Sequence, residues 1–510
     1  MENPSNRNRL IEEWQEACSR LYGRRVEDPL GREFESIRTC MFFGHGLPED
    51  TAKRLNLIVG AGEAYELHIA TDTPSNNGYD PDHPFARGRV GLIGVSICNT
   101  EDLARLFDGI PINKFNIFIN APPSQSVFVA LFIAYAEKRG IPVNELRLKL
   151  EGRLMNPGQL SVPRFPPERM IKLGIEAYNY CIKNMPNWSG IHAEAYNARE
   201  AGADIIDELA IHFAQQLYIA GKLIEAGNSP DDFFPKVSVK FAVASDFFEE
   251  IAKLRAVRKI WGKIARERFG CKKPESFCPH LITQNQGSEL TAQQPLNNIA
   301  RIAIQGLAAI LGGVDSVHLD SYDEGLGVPS EEAVTVALRT FQILRHEVGV
   351  ANILDPLSGS YYIEHLTECI EEKLYKRLEE IESQGGFMEC WEKGWFKREL
   401  QKKANEWQER IRKKEKIIVG RNAFMTDEKV HIRTTPLNLE LEKAAVERVK
   451  NFKNKRDNKR VKICLENLRE AAENDDEIIP SLIEAARANA TLGEMMGILR
   501  EVYGWGVYGL

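Results

Sequence analysis

Along the first two thirds of the chain, short runs rich in β-branched and aromatic residues alternate with segments of helical period. The runs that read as strands are Tyr65–Thr71, Leu92–Ile97, Phe115–Ala121, Leu146–Gly152, Ser189–Ala195, Val237–Val243, His280–Gln284 and Asp315–Asp320. Between them lie apolar-periodic helices such as Gln125–Lys138, Ile205–Ala226 and Leu290–Leu311. Regular βα alternation of this kind predicts a parallel sheet with right-handed crossovers, closed as an α/β (β/α)8 TIM barrel. A doubly wound open sheet is the alternative, but it rarely needs eight regular units. From about Tyr362 the pattern turns to Glu, Lys, Leu and Arg with helical period. Cys369–Gln384, Phe387–Lys416, Glu440–Asn474 and Pro480–Val502 read as long amphipathic helices, with Gly385-Gly386 as a stop and restart. The division that follows is an N-terminal arm over 1–60, the barrel over 61–360 and a helical extension over 361–510.

Composition narrows the class. With 43% hydrophobic and 27% charged residues the chain has material for a large core, and a net charge of −7 argues against a nucleic-acid surface covering the protein. The basic run Lys450–Lys462 lacks interleaved aromatics and reads as a solvated helix face or a surface for an acidic partner. Met1 to Arg20 is polar, unlike a signal peptide, and no apolar run approaches the roughly 20 residues of a membrane span. The nine cysteines form no CxxC pair, so the expectation is a reduced, cytoplasmic protein. Cys271 and Cys278 near His280 do not match a zinc spacing and read as ordinary thiols.

A barrel places its chemistry at the C-terminal ends of its strands. That rule picks out Asp72, Asn77, Tyr79, Asp80 and His83 after the run at 65–71, and Tyr196, Asn197 and Glu200 after the run at 189–195. It also picks out Gln284 to Ser288, and His318, Asp320, Asp323, Glu324 and Gly325. Each of these alone suits a cap or a loop hydrogen bond; their clustering suits a site. The chain has no GxSxG elbow, HExxH, Walker A or sound dinucleotide fingerprint. A mouth lined by amides, a tyrosine and a few acids suits a reaction whose hard step belongs to a cofactor.

Longer matches then give a resemblance. NNGYDPDHP, GRVGLIGV, EDLARLFDGIPI, AYNAREAGAD, FFEEIAKLRAVRKIW, ELTAQQPLNNIAR, SVHLDSYDE, LDPLSGSYYIEHLT and GRNAF resemble the cobalamin-dependent acyl-CoA mutases, the methylmalonyl-CoA mutase family, over nearly the whole chain. The resemblance implies a substrate barrel whose axis takes the pantetheine arm of an acyl-CoA, with cobalamin capping one end. It implies radical chemistry begun by adenosylcobalamin. The DxHxxG motif of cobalamin-carrying members does not occur in the sequence. The resemblance is therefore to separately encoded large subunits, which implies a small cobalamin-binding subunit, a hetero-oligomer and room for a GTPase chaperone as a further partner.

Carried over by position, Glu200, Gly287, Leu290, Glu324 and Gly325 match the cobalamin face. Ser36 and Arg38 match contacts to CoA phosphates, Gln284 a residue near the acyl-CoA, and Tyr196 the tyrosine at the fifth strand's end. The departures fall at sensitive positions. Cys40 stands where the family has a tyrosine beside the adenosyl group, and Asn197 where it has a catalytic histidine. Leu160 stands on or near the place of the arginine that grips the methylmalonyl carboxylate, and His280 and Ile282 replace an Arg-x-His pair. A buried carboxylate facing Leu160 would lose a charge-assisted contact worth roughly 1.5–3 kcal/mol, unless Arg153 or Arg164 takes over. The expectation is a mutase of a short acyl-CoA other than methylmalonyl-CoA. The alternatives are the same radical chemistry on a non-CoA acid, or a non-catalytic relative that binds the cobalamin subunit.

Overall fold

A computed structural model describes residues 37–62, 66–152, 154, 164–353, 355–427, 429–430 and 439–508. Ser36 and Leu160, with Arg153, lie outside the described residues. The strands are β1 Arg38–Thr39, β2 Phe42–Phe43, β3 Glu66–Ala70, β4 Asn116–Asn120 and β5 Leu148–Glu151. They continue as β6 Gly190–Glu194, β7 Val237–Val243, β8 His280–Asn285 and β9 Ser316–His318. All pair in parallel in the order β1-β9-β8-β7-β6-β5-β4-β3-β2. Only Cys40 and Met41 separate β1 from β2. The two pieces are one interrupted strand that pairs with β9 on one side and β3 on the other, so the sheet closes as an eight-stranded barrel. Both faces of a closed parallel sheet are covered, which is why every residue of VSVKFAV in β7 is buried.

Two sequence expectations fail here. Leu92–Ile97 is β-rich in composition but forms a loop, tied to the sheet only by a bridge between Thr71 and Val95. Gly94, at φ +104°, brings this loop so close that a Cβ there would lie 2.3 Å from the Thr71 carbonyl. Composition supplied the β signal, and the glycine turns took away the ladder. The strand actually missing from the sequence reading is Arg38–Phe43, so the barrel begins inside the segment assigned to the arm. The miss and the false strand compensate, and Gly190–Glu194 is still the fifth strand around the barrel.

The helix expected at Leu290–Leu311 begins only at Asn297, after Pro295. The long C-terminal helices are broken as well. Gly394, at φ +63°, separates Gly386–Glu392 from Trp395–Arg412, and Asp457 caps a new helix at Asn458–Glu473 after Leu439–Lys455. Pro480–Val502 becomes Ile479–Arg487 and Leu492–Tyr503. No described helix is long and apolar enough to cross a membrane.

The extension grips the barrel. Helix Gln125–Lys138 buries almost its whole circumference because the sheet lies on one side and Ile479–Arg487 on the other. Asp80 is the anchor of the last helices. It accepts from Thr491 Oγ1 at 2.6 Å and Gly493 N at 2.7 Å, and pairs with Lys453 at 2.9 Å. Arg500 donates to the Asn77 and Gly78 carbonyls at 3.1 and 2.8 Å and stacks on Tyr79. Asp72 accepts from Ser75 N and Gly91 N, each at 2.8 Å, and His83 Nδ1 caps Phe85 N. The polar loop after β3, a candidate site by sequence, is therefore a structural clasp.

Candidate active site

The remaining strand-end candidates do meet, at the C-terminal mouth. β6 ends at Glu194, and the short helix Tyr196–Glu200 carries Tyr196, Asn197 and Glu200 onto the rim. Gly287, just past β8, faces them; a Cβ there would stand 3.2 Å from the Tyr196 hydroxyl and 3.7 Å from Glu200 Oε2. Glu200 Oε2 accepts from Ser288 N at 3.0 Å. The loop carrying Gly287 is held by Arg199, which donates to Gln286 at 3.1 Å and to the fully buried Glu250 at 3.2 Å. Gln286 in turn donates to Ser288 Oγ at 2.9 Å. Gly325 packs equally tightly, its Cβ position lying 3.0 Å from Ala292 N, and Leu290 is buried in the core beneath.

Asp320 is the hub of the next part of the rim. Gln284 Nε2 donates to its Oδ1 at 2.9 Å. His318 Nδ1 accepts from Phe42 N at 2.9 Å, so its proton resides on Nε2, which donates to the same Asp320 oxygen at 3.0 Å. Asp320 Oδ2 is buried without a hydrogen-bond partner. Burial, and then the Asp320 charge, push Glu200 up to about 7. Burial with Asp320, Asp323 and Glu200 pushes Glu324 to about 8. Burial and Asp320 also raise Tyr196 well above the ordinary phenol. These acids share protons near neutrality, and the mouth carries less negative charge than its composition suggests. Asn197 is half-buried, and its side-chain amide makes no hydrogen bond among the described residues.

Arg38 and His280 are at the other end. They are the first residues of β1 and β8, on the N-terminal mouth. His280 lies 3.3 Å from Ser316 Oγ, 3.7 Å from Glu66 and 3.8 Å from Asp315. At about 3.3 Å of rise per residue, His280 and Gln284 stand about 13 Å apart on one strand. The structure thus gathers Tyr196, Asn197, Glu200, Gln284, Gly287, Leu290, Glu324 and Gly325 at one mouth and leaves Arg38 and His280 at the other.

Between the mouths the axis is occupied by side chains that the sequence reading missed. Phe42, His68, Phe118 and His192 form an aromatic stack, with centroid distances of 4.8 Å for Phe42–His68, 5.0 Å for His68–His192 and 4.3 Å for Phe118–His192. Lys149 pairs with Glu66, which also accepts from His68 Nε2 at 2.8 Å. Lys240 pairs with Glu194 at 3.5 Å. Burial alone would raise Glu66, but Lys149 and the His68 bond outweigh it and hold the carboxyl well below its usual range. Burial lowers His68 to about 4, and burial with the neighbouring cations takes His192 down as well, so both rings are neutral. Cys40 lies in the break between β1 and β2, fully buried, its thiol pushed up by burial and by Glu66. The available signal was periodicity: His68, Lys149, His192, Glu194 and Lys240 occupy inward positions of strands whose other positions are apolar.

The comparisons with known proteins agree with this architecture. The model of the family described as methylmalonyl-CoA mutase matches residues 32–505. The chain belongs to the methylmalonyl-CoA mutase family. It is 33% identical over 471 residues to the 2-hydroxyisobutanoyl-CoA mutase large subunit of Aquincola tertiaricarbonis, covering 91% of this chain and 83% of that protein. It is also 33% identical to the methylmalonyl-CoA mutase of Rhizobium meliloti, over 92% of this chain and 66% of that one. Identity to the human mitochondrial methylmalonyl-CoA mutase is 33%, over 91% and 62%. The chain therefore spans a little under two thirds of the length of these two methylmalonyl-CoA mutases. All three relatives are named as CoA mutases, which are isomerases, and the family implies a cobalamin cofactor.

Proposed function

We propose that this chain is the large, substrate-side subunit of an adenosylcobalamin-dependent mutase. It works with a separate small cobalamin-binding subunit and rearranges a short acyl-CoA other than methylmalonyl-CoA. The observation that carries this reading is the C-terminal mouth itself. Gly287 and Gly325 keep the rim low where a side chain would strike Tyr196 or the Ala292 backbone, and Glu200, Glu324 and the unpartnered buried Asp320 oxygen supply acceptors around them. A low rim ringed by acceptors fits a broad ligand edged with amide donors, as cobalamin is. When bound there, adenosylcobalamin supplies the radical that begins the rearrangement.

The chain's own residues position the substrate and keep water out. Tyr196 is neutral, and its ring closes the floor of the mouth over Lys240 at 4.9 Å. Gln284 is fixed by Asp320, and Asn197 offers an amide donor to a carbonyl or carboxylate. Arg164, one of the two candidates to replace the carboxylate-binding arginine, lies 5.8 Å from the ring of Trp391 in the outer helical layer. That placement supports a substrate other than methylmalonyl-CoA. The match to a relative named as a large subunit supports the two-subunit arrangement.

The test is retention of the corrinoid. The chain, a small cobalamin-binding subunit and adenosylcobalamin are expected to co-elute in gel filtration with corrinoid absorbance. Gly287→Leu, which fills the space between Tyr196 and Glu200, is expected to abolish it. Failure of the wild-type chain to retain corrinoid in this mixture would rule the reading out.

A further inference from the structure

Two buried clamps converge on the turn that carries Gly287. The turn Gly287–Glu289 follows the end of β8, and a buried polar side chain stands at each shoulder, Gln286 before it and Glu289 as its last residue. On one side Arg199 spans two acceptors, donating through Nε to Gln286 Oε1 at 3.1 Å and through Nη2 to Glu250 Oε1 at 3.2 Å. Glu250 pairs with Lys253 at 2.5 Å, and Lys253 with Glu208 at 3.0 Å. Lys253 also donates to the Ala242 carbonyl at 2.6 Å, and Glu208 accepts from Ala242 N at 2.8 Å, so this network is fastened to β7. On the other side Glu289 Oε2 accepts from Ser245 N at 2.7 Å, Ser245 Oγ at 2.6 Å and Gln305 Nε2 at 3.3 Å. Gln305 Oε1 accepts from Asn285 at 2.8 Å, and Asn285 Oδ1 accepts from Asp320 N at 3.0 Å, which links this clamp to the acid at the centre of the rim.

Stability alone does not account for this arrangement. Glu208, Glu250 and Lys253 are fully buried, and a buried ionic network replaced by apolar residues of like volume is often no less stable. What the network supplies is fixed geometry. The donors of a guanidinium form a rigid fork, so Gln286 cannot shift against Glu250 without losing a bond to Arg199. The element held in this way is the one that meets the short helix of the rim: Ser288 N donates to Glu200 Oε2 at 3.0 Å, and Gly287 faces the Tyr196 hydroxyl. We propose that Arg199 and Glu289 are positioning residues for the mutase reaction, holding the Gly287–Glu289 turn against Tyr196 and Glu200 so that the rim keeps the shape that seats cobalamin. The inference rests on the mutase reading for the ligand and on the two clamps for the residues. Arg199 acts through Gln286, and Glu289 through its own backbone in the turn.

Arg199→Lys separates the charge from the fork, because lysine keeps a cation beside Glu250 but cannot also bond Gln286. Its urea unfolding midpoint is expected to match the wild type. In the cofactor-free full chain, amide hydrogen exchange over 287–290 is expected to quicken about tenfold in Arg199→Lys and in Glu289→Ala, with 237–243 unchanged. With the small subunit present, the adenosylcobalamin concentration for half-maximal retention is expected to rise about tenfold in the same two variants. Glu289→Gln keeps an acceptor for Ser245 and is expected to restore both readings. Wild-type exchange over 287–290 together with wild-type corrinoid retention in Arg199→Lys and Glu289→Ala would overturn the proposal. If Arg199→Lys does not fold, Glu289→Ala decides it, since that change leaves the buried ion network intact. A wild-type complex that retains no corrinoid would defeat the mutase reading, leaving exchange to decide whether the two residues fix the turn.

Discussion

Lys240 stands with its ammonium 3.7 Å from the centre of the Phe42 ring and 3.5 Å from Glu194, inside a barrel where it is 2% exposed. A cation so placed is stabilised by the ring face and the carboxylate together, and each partner depends on the other. Lys240→Met strands the buried Glu194 carboxylate and is expected to cost about 3–5 kcal/mol. Lys240→Met combined with Glu194→Gln is expected to recover most of that loss. Urea unfolding midpoints of the two variants and the wild type check the ordering.

The mouth carboxyls give the protein a pH dependence of definite sign. Glu200 is raised from 4.5 to about 7 by burial and by Asp320. The fold therefore holds this proton after the unfolded chain has released it, and stability falls as pH rises from about 4.5 to about 7, then levels off. Glu200→Gln is expected to remove roughly 2 kcal/mol of that fall, after allowance for partial solvent screening. Thermal midpoints measured from pH 4.5 to 8 for both proteins show whether the slope flattens.

Asp80 ties the last helices to the loop after β3 through Thr491, Gly493 and Lys453. Asp80→Ala removes a buried charge with two hydrogen bonds and is expected to cost at least about 3 kcal/mol. Limited proteolysis is expected to cut the variant within 458–503 well before the wild type, with the barrel fragment surviving longer.

Cys40 is buried with its thiol raised, and so are Cys98 and Cys181. A protonated, inaccessible thiol is a poor nucleophile. Brief iodoacetamide treatment of the native protein is expected to label the half-exposed Cys369 and Cys464 and spare these three. Mass spectrometry of the peptides reads the result, and rapid labelling of Cys40 would open the axis to solvent.

Much of the barrel was legible because β3 to β9 lie in short β-rich runs separated by segments of helical period, which periodicity detects. Arg38–Phe43 was not, since its two pairs of residues form ladder only where β9 and β3 flank them. Leu92–Ile97 misled for the converse reason, having strand composition without a partner. At the site, the rim residues from Tyr196 to Gly325 were legible as strand ends. The Asp72–His83 loop has the same polar composition and turned out to clasp the C-terminal helices. A loop's composition does not say which neighbour its hydrogen bonds will find. Lys240 and His192 went unremarked because a strand's inward face becomes visible only when the sheet closes.

The central claim is that this chain supports cobalamin radical chemistry on a short acyl-CoA at the C-terminal mouth. Electron paramagnetic resonance of the corrinoid-loaded complex tests it directly, because the radical pair leaves a cob(II)alamin signal. The account predicts that signal on adding a short acyl-CoA other than methylmalonyl-CoA, and its loss in an Asn197→Ala, Gln284→Ala variant that still retains corrinoid. A loaded complex that stays silent with every short acyl-CoA, or that gives the signal with methylmalonyl-CoA alone, would contradict it.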